Sequence, residues 1–166
     1  MTGASEPVTR DGGVLDGFHI RQVPGDTGTE VSDFASEWDD VRFATRVWER
    51  QTDDGHQVDL RVHVMRGERL TDLAALRDFL TEYHEHDPDD WPLIDFMHGE
   101  SAGLRDDSQA FWLAEPGVAV NVLVATDLAG GGQLLATALA VVAVSDRGGP
   151  VSSGVERPAA ARPPAD

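Results

Sequence analysis

The sequence predicts an α+β domain: an antiparallel, curved sheet of about five to seven strands with two main helices packed on one face. Three observations carry that prediction. "RFATRVWERQTDDGHQVDLRVHVMR", residues 42–66, holds two alternating runs on either side of Asp54-Gly55. "RLTDLAALRDFLTEYHEH", residues 69–86, repeats apolar side chains at helical spacing. "QAFWLAEPGVAVNVLVA", residues 109–125, alternates again around Pro116-Gly117, and an apolar helical run follows it.

Taken in chain order, "FHIRQV" (18–23) reads as an early strand. "SDFASEWDDVRF" (32–43) either caps a short helix or presents Trp38 to a partner, and Phe34 and Trp38 are expected in the core. In the hairpin, Asp54-Gly55 suits a type I′ turn. With these as the two loop residues, Asp53 pairs with His56, Arg50 with Asp59, Trp48 with Arg61 and Arg46 with His63; Val47 then faces Val62, and Thr45 faces Val64. A loop at Asp53-Asp54 would set Arg46 against Arg61 and lose the Arg50–Asp59 pair, so the first register is predicted. Phe43, Val47, Leu60, Val62 and Val64 form its apolar face, leaving Trp48, Asp59, Arg61 and His63 on the other.

The helix spans about 71–86, with Leu73, Leu76, Phe79, Leu80 and Tyr83 toward the sheet. Thr71 is its expected N-cap, Asp72 favours the positive end, and Leu70 folds back on Ala75. Asp87 then caps a short turn, with Pro88 first and Asp89 and Asp90 behind it. "PLIDFMHG" (92–99) is read as a strand and "ESAGLRDDS" (100–108) as a loop. In the second hairpin Phe111, Leu113, Val118, Val120, Val122 and Val124 share one face, with Trp112 and Asn121 opposite. After the glycines at 130–132, Leu134, Leu135, Ala138, Leu139 and Val142 predict a packing helix, since about a dozen apolar residues are too few to span a membrane.

Residues 1–13 and the Pro/Ala/Gly-rich tail, 145–166, offer little to bury and are expected to be disordered, leaving one domain over 14–144. Thirty acidic residues against 13 basic ones, every one arginine, give a net charge of −17. The tail's acids and arginines cancel, and residues 1–13 carry one net negative charge, so 14–144 holds −16. Such a field repels phosphate backbones and argues against nucleic acid. With no cysteine, thiol catalysis, disulfides and cysteine metal sites are excluded. The opening residues show neither a signal nor an anchor, so the expectation is a cytoplasmic protein without membrane insertion.

Catalytic motifs are absent: "HGESAG" lacks the Gly-x-Ser-x-Gly order, and no glycine run makes a phosphate loop. "EYHEHDPDDWP" (82–92) crowds histidines and carboxylates, so His84, His86, Asp87 and Asp90, joined by His98 and Glu100, are candidate ligands for a divalent metal. On a continuous helix, however, His84 and His86 stand about 200° apart and cannot share an ion. Trp48, Asp59, Arg61, His63, Trp112 and Asn121 form a candidate binding patch on the solvated side of the sheet.

"FWLAEPGVAVNVLV" followed by "QLLATALAVV" resembles the ending of many actinobacterial envelope proteins of the curved-sheet type, relatives of lipoprotein carriers and PsbP-like domains. The resemblance covers about a third of the chain and implies binding of a lipid or partner on a sheet surface. Mainly because the sequence shows no catalytic constellation, the expectation is a non-enzymatic binding or accessory module without a cofactor, meeting a protein partner or small ligand on its sheet. The alternatives are a divalent-metal-dependent enzyme or sensor at the histidine cluster, and an acidic mimic or inhibitor of a basic partner surface.

Overall fold

A computed structural model describes residues 9–87, 89–125 and 132–144. The expected disorder at 1–8 and 145–166, and the place of Pro88, fall outside the described residues. Strands β1 (Thr9–Arg10), β2 (Gly13–Leu15), β3 (Phe18–Ile20) and β4 (Val23–Pro24) come first, followed by β5 (Glu30–Trp38), β6 (Val41–Thr52) and β7 (Gly55–Arg66). Helix α1 (Leu73–Tyr83) leads to β8 (Ile94–His98), β9 (Ser101–Arg105), β10 (Gln109–Glu115) and β11 (Val118–Val124), then α2 (Gln133–Leu139) and β12 (Val141–Ala143).

Seven strands form one antiparallel sheet in the order β5-β6-β7-β11-β10-β9-β8, while β12-β3-β2 make a second sheet and β1-β4 a short ribbon. The α+β class and the antiparallel sheet are thus as the sequence implied. The start at residue 14 is corrected: Arg10 pairs with Val23, and the Gly12 amide donates to the Ile20 carbonyl at 2.7 Å. Backbone pairing, which composition does not reveal, orders this stretch.

The two helices lie on opposite faces of the large sheet, contrary to the expectation of one. Leu76, Phe79 and Leu80 of α1 pack with Phe43, Met65, Phe111 and Ala119. Leu134 and Ala138 of α2, with Phe18 and Ile20 of the second sheet, pack with Trp48, Val62, Trp112 and Val120. The alternating runs therefore bury both faces, which apolar spacing alone cannot distinguish from one.

The register of β6 and β7 is also corrected. The loop is Asp53-Asp54, with Thr52 opposite Gly55, and a bulge after Trp48 shifts the ladder by one residue. Trp48 faces Leu60, Val47 faces Arg61, Arg46 faces Val62 and Thr45 faces His63. Asp59 is the extra residue, and so the feared Arg46–Arg61 clash never arises. Arg50, though opposite Gln57, still reaches Asp59 with Nε to Oδ2 at 2.8 Å. Gly55 takes φ +124°, while the turn with two left-handed residues is Asp39-Asp40, at φ 53° and 68°, joining β5 to β6. Aspartate, like asparagine, has a short polar side chain that tolerates this conformation.

Helix α1 is capped by Asp72 rather than Thr71, its carboxylate accepting from the Ala75 amide at 2.8 Å. The helix ends at Tyr83, earlier than expected, in a Schellman turn: the His86 amide donates to the Thr81 carbonyl at 2.9 Å and the Glu85 amide to Glu82 at 3.1 Å. Glu85 holds φ 59° there, a strain glycine avoids. Glu85→Gly should accordingly raise stability by about 0.5–1 kcal/mol in urea unfolding. A loss of stability would show that the Glu85 side chain has a role its exposure conceals.

The segment read as a loop at 100–108 contains β9, paired with β8 across a turn in which Gly99 has φ 61°. Gly103 of β9 sits so close to Phe96 that an added Cβ would lie 2.6 Å from its ring. The second hairpin bends at Pro116-Gly117 as expected, with Gly117 at φ 87°. Its faces differ from the reading: Phe111 pairs with Asn121 on the α1 side, and Trp112 pairs with Val120 on the α2 side. The apolar run after the glycines splits into α2 and β12, and Val142 pairs with His19 of β3.

Candidate functional site

The bulge dissolves the expected patch of Trp48, Asp59, Arg61, His63, Trp112 and Asn121. Trp48 and Trp112 face α2 and are buried, and His63 and Asn121 are buried on the α1 face. Asp59 is buried at the bulge, and of the six only Arg61 is exposed. Two bulges, one at Asp59 in β7 and one between Leu113 and Glu115 in β10, each shift a ladder by one residue and so exchange side chains between faces.

The candidate metal residues also separate. His84 Nε2 meets Asn121 Oδ1 at 2.9 Å, and His86 stacks on Trp91 at 4.0 Å. Asp87 holds a turn by accepting from the Asp89 amide at 2.9 Å, while Asp90 and Glu100 are exposed. His98 belongs to the opposite side of the sheet, stacked on Trp112 at 4.0 Å, with Nε2 donating to the Val141 carbonyl at 2.7 Å. Among the described residues no group of three or more metal-ligating side chains is gathered.

A polar network does form under the end of α1. Thr45 Oγ1 and His63 Nδ1 lie 2.7 Å apart. The Asn121 amide nitrogen donates to Gln109 Oε1 and to the Ala110 carbonyl, both at 3.1 Å, so its oxygen accepts and His84 Nε2 must carry the proton. Burial pushes the His63 pKa down to about 3, helped by the Arg61 charge and by His84. Burial likewise lowers His84, against the opposing hydrogen bond from Asn121. An imidazole so weakly basic does not activate the Thr45 hydroxyl at neutral pH. The network is a neutral, tightly held support for α1.

Exposed large apolar side chains lie instead at both edges of the sheet, Ile94 and Met97 on β8 and Val31, Phe34 and Trp38 on β5. Strand β5 pairs with β6 through nine consecutive positions, Glu30–Glu49 to Trp38–Val41, without a bulge. Its other edge has no strand partner among the described residues. Phe34 and Trp38 project on the α1 face, 56% and 38% exposed, and Val31 projects on the other at 51%. The Trp38 ring stands edge-on to Phe79 and Tyr83 at 5.3 Å each, so α1 holds it in place. Glu30, Asp33 and Glu37 alternate with these apolar residues, and Asp39-Asp40 adds two more acids at the turn. Arg46 grips Asp33 at 2.7 and 2.9 Å, holding its carboxyl below the usual range, and Arg69 pairs with Asp39. Beside the turn opens a groove of about 920 Å³ lined by Glu37, Asp40, Arg42, Arg66, Glu68 and Arg69.

Sequence reasoning placed Phe34 and Trp38 in the core and missed β5. The signal was available in Asp39-Asp40, two residues able to turn the chain between "EVSDFASEW" and "VRFATRVWE". Comparison with protein-family models, curated proteins and solved structures finds no match to this chain.

Proposed function

We propose that this chain is a non-enzymatic binding module that recognises a protein partner by receiving an extended, basic segment of it along β5. The observation that carries this reading is the nine-residue open edge with Phe34 and Trp38 exposed on one face. An unpaired edge presents a row of backbone donors and acceptors, which a partner strand can satisfy while alternate side chains supply specificity. Natural edges are usually blunted by charge; here Arg46 neutralises Asp33, and Glu30 and Glu37 fill that role with one sign only. They oppose self-pairing between chains of net charge −17 and favour a segment carrying arginine or lysine. This joins two expectations, a protein partner and an acidic surface aimed at a basic one.

Selection from a displayed library of random linear peptides tests the reading. Peptides with basic residues alternating with apolar ones should be enriched, and Phe34→Ala should weaken them at least about tenfold, the loss of one buried aromatic anchor. Because Phe34 is mostly exposed, its Tm should move little. Binders that tolerate Phe34→Ala and a proline at Ala35 would refute edge recognition.

A further inference from the structure

Three imidazoles and a tyrosine join the buried network to the exposed edge. Tyr83, on the last turn of α1, lies 6.1 Å from the His63 ring, 5.1 Å from His84 and 5.3 Å from Trp38. His86 follows His84 at 6.1 Å. His63 Nδ1 is engaged by Thr45, whereas Nε2 is buried with no hydrogen-bond partner among the described residues, so an imidazolium there would bury an N–H that none of them receives. His84 gives its one available hydrogen bond to Asn121, itself fully buried and fully engaged.

Resting on the edge-binding reading, we propose that mild acid regulates the same site: protonation of His63 and His84 frees the last turn of α1 from the sheet and takes Tyr83 away from Trp38. The groups facing these rings decide the direction. From β7, Arg61 opposes a positive charge on either ring, and His86 opposes one on His84. Asp106, between β9 and β10, favours a charge on His84 alone. Strands β6, β10 and β11 present Thr45, Gln109 and Asn121, which are neutral.

Both histidines titrate lower in the folded chain than in the unfolded one, so their neutral forms stabilise the docked turn above about pH 6.5. That stabilisation is lost as pH falls below 6.5, and each unit favours the opened turn by up to about tenfold per histidine. Above pH 7 nothing further is gained. The opened state retains the strands, because the seven-stranded sheet does not depend on the last turn of α1 for its pairing.

Amide hydrogen exchange on the free protein tests this without any partner. Corrected for intrinsic rates, protection of the His84, Glu85 and His86 amides should fall at least about tenfold from pH 7 to pH 5, while that of β7 and β11 holds. His63→Gln/His84→Gln should abolish the difference. If the double variant does not fold, His84→Gln alone should reduce it. Equal protection at the two pH values, an equal loss in β7 and β11, or an unaltered response in a folded variant would overturn the proposal. A strand-like peptide selected at pH 7 should also weaken at pH 5. Failure of the selection at pH 7 to yield any strand-like binder counts against the edge reading, whereas unchanged binding at pH 5 counts against the regulation.

Discussion

Asp59→Ala should cost about 3 kcal/mol in urea unfolding, the lower end of what breaking a buried ion pair costs. Asp59 is fully buried, and its Oδ2 accepts from Arg50 Nε at 2.8 Å and from the Gly28 amide at 2.7 Å. Its Oδ1 accepts from Gln57 Nε2 at 3.0 Å. One carboxylate thus ties together the bulge of β7, the neighbouring β6 and the loop before β5. Alanine leaves the Gly28 amide without its acceptor, and that loop cannot move aside freely. At Gly28 an added Cβ would sit 2.1 Å from the Glu49 carbonyl oxygen, so the backbones are already in close approach. Arg50 is partly exposed and recovers water, which sets the estimate near the bottom of the range. A cost below about 1 kcal/mol would mean that the bulge is held by the ladder and not by its carboxylate.

Leu76→Ala should cost about 2–5 kcal/mol by the same measurement. Leu76 is fully buried between α1 and the sheet, within the cluster of Phe43, Met65, Phe79, Leu80 and Phe111. The strands beneath it are held by continuous pairing and carry a second core on their reverse face, so the floor cannot rise to fill the void. The upper half of the range is therefore expected. A cost below half a kcal/mol would show that α1 does not bury this face.

These two residues also mark what sequence can convey. Leu76 was legible because helical spacing is a local property, and the same holds for the Pro116-Gly117 bend and the apolar stripe of α1. Asp59 was half legible. Its pairing with Arg50 followed from charge, but the bulge that makes the contact diagonal depends on where the Gly28 loop returns to meet it. From that one shift came the misplacement of Trp48, Arg61 and His63. The two-sided burial of β10 and β11 was hidden for another reason: alternation of Phe111 with Trp112 looks amphipathic until both sides prove to be covered. Phe34 and Trp38 were assigned to the core because large apolar residues usually are, and only the position of β5 at the edge of the sheet overrules that tendency.

The most direct measurement is backbone amide exchange along β5 with and without a saturating peptide selected against the protein. The amides of Glu30–Trp38 that do not bond to β6 should gain protection at alternate positions, with those on β8, the opposite edge, unchanged. Protection confined to β8, or to the groove around Arg42 and Arg66 with none along β5, would contradict recognition at this edge.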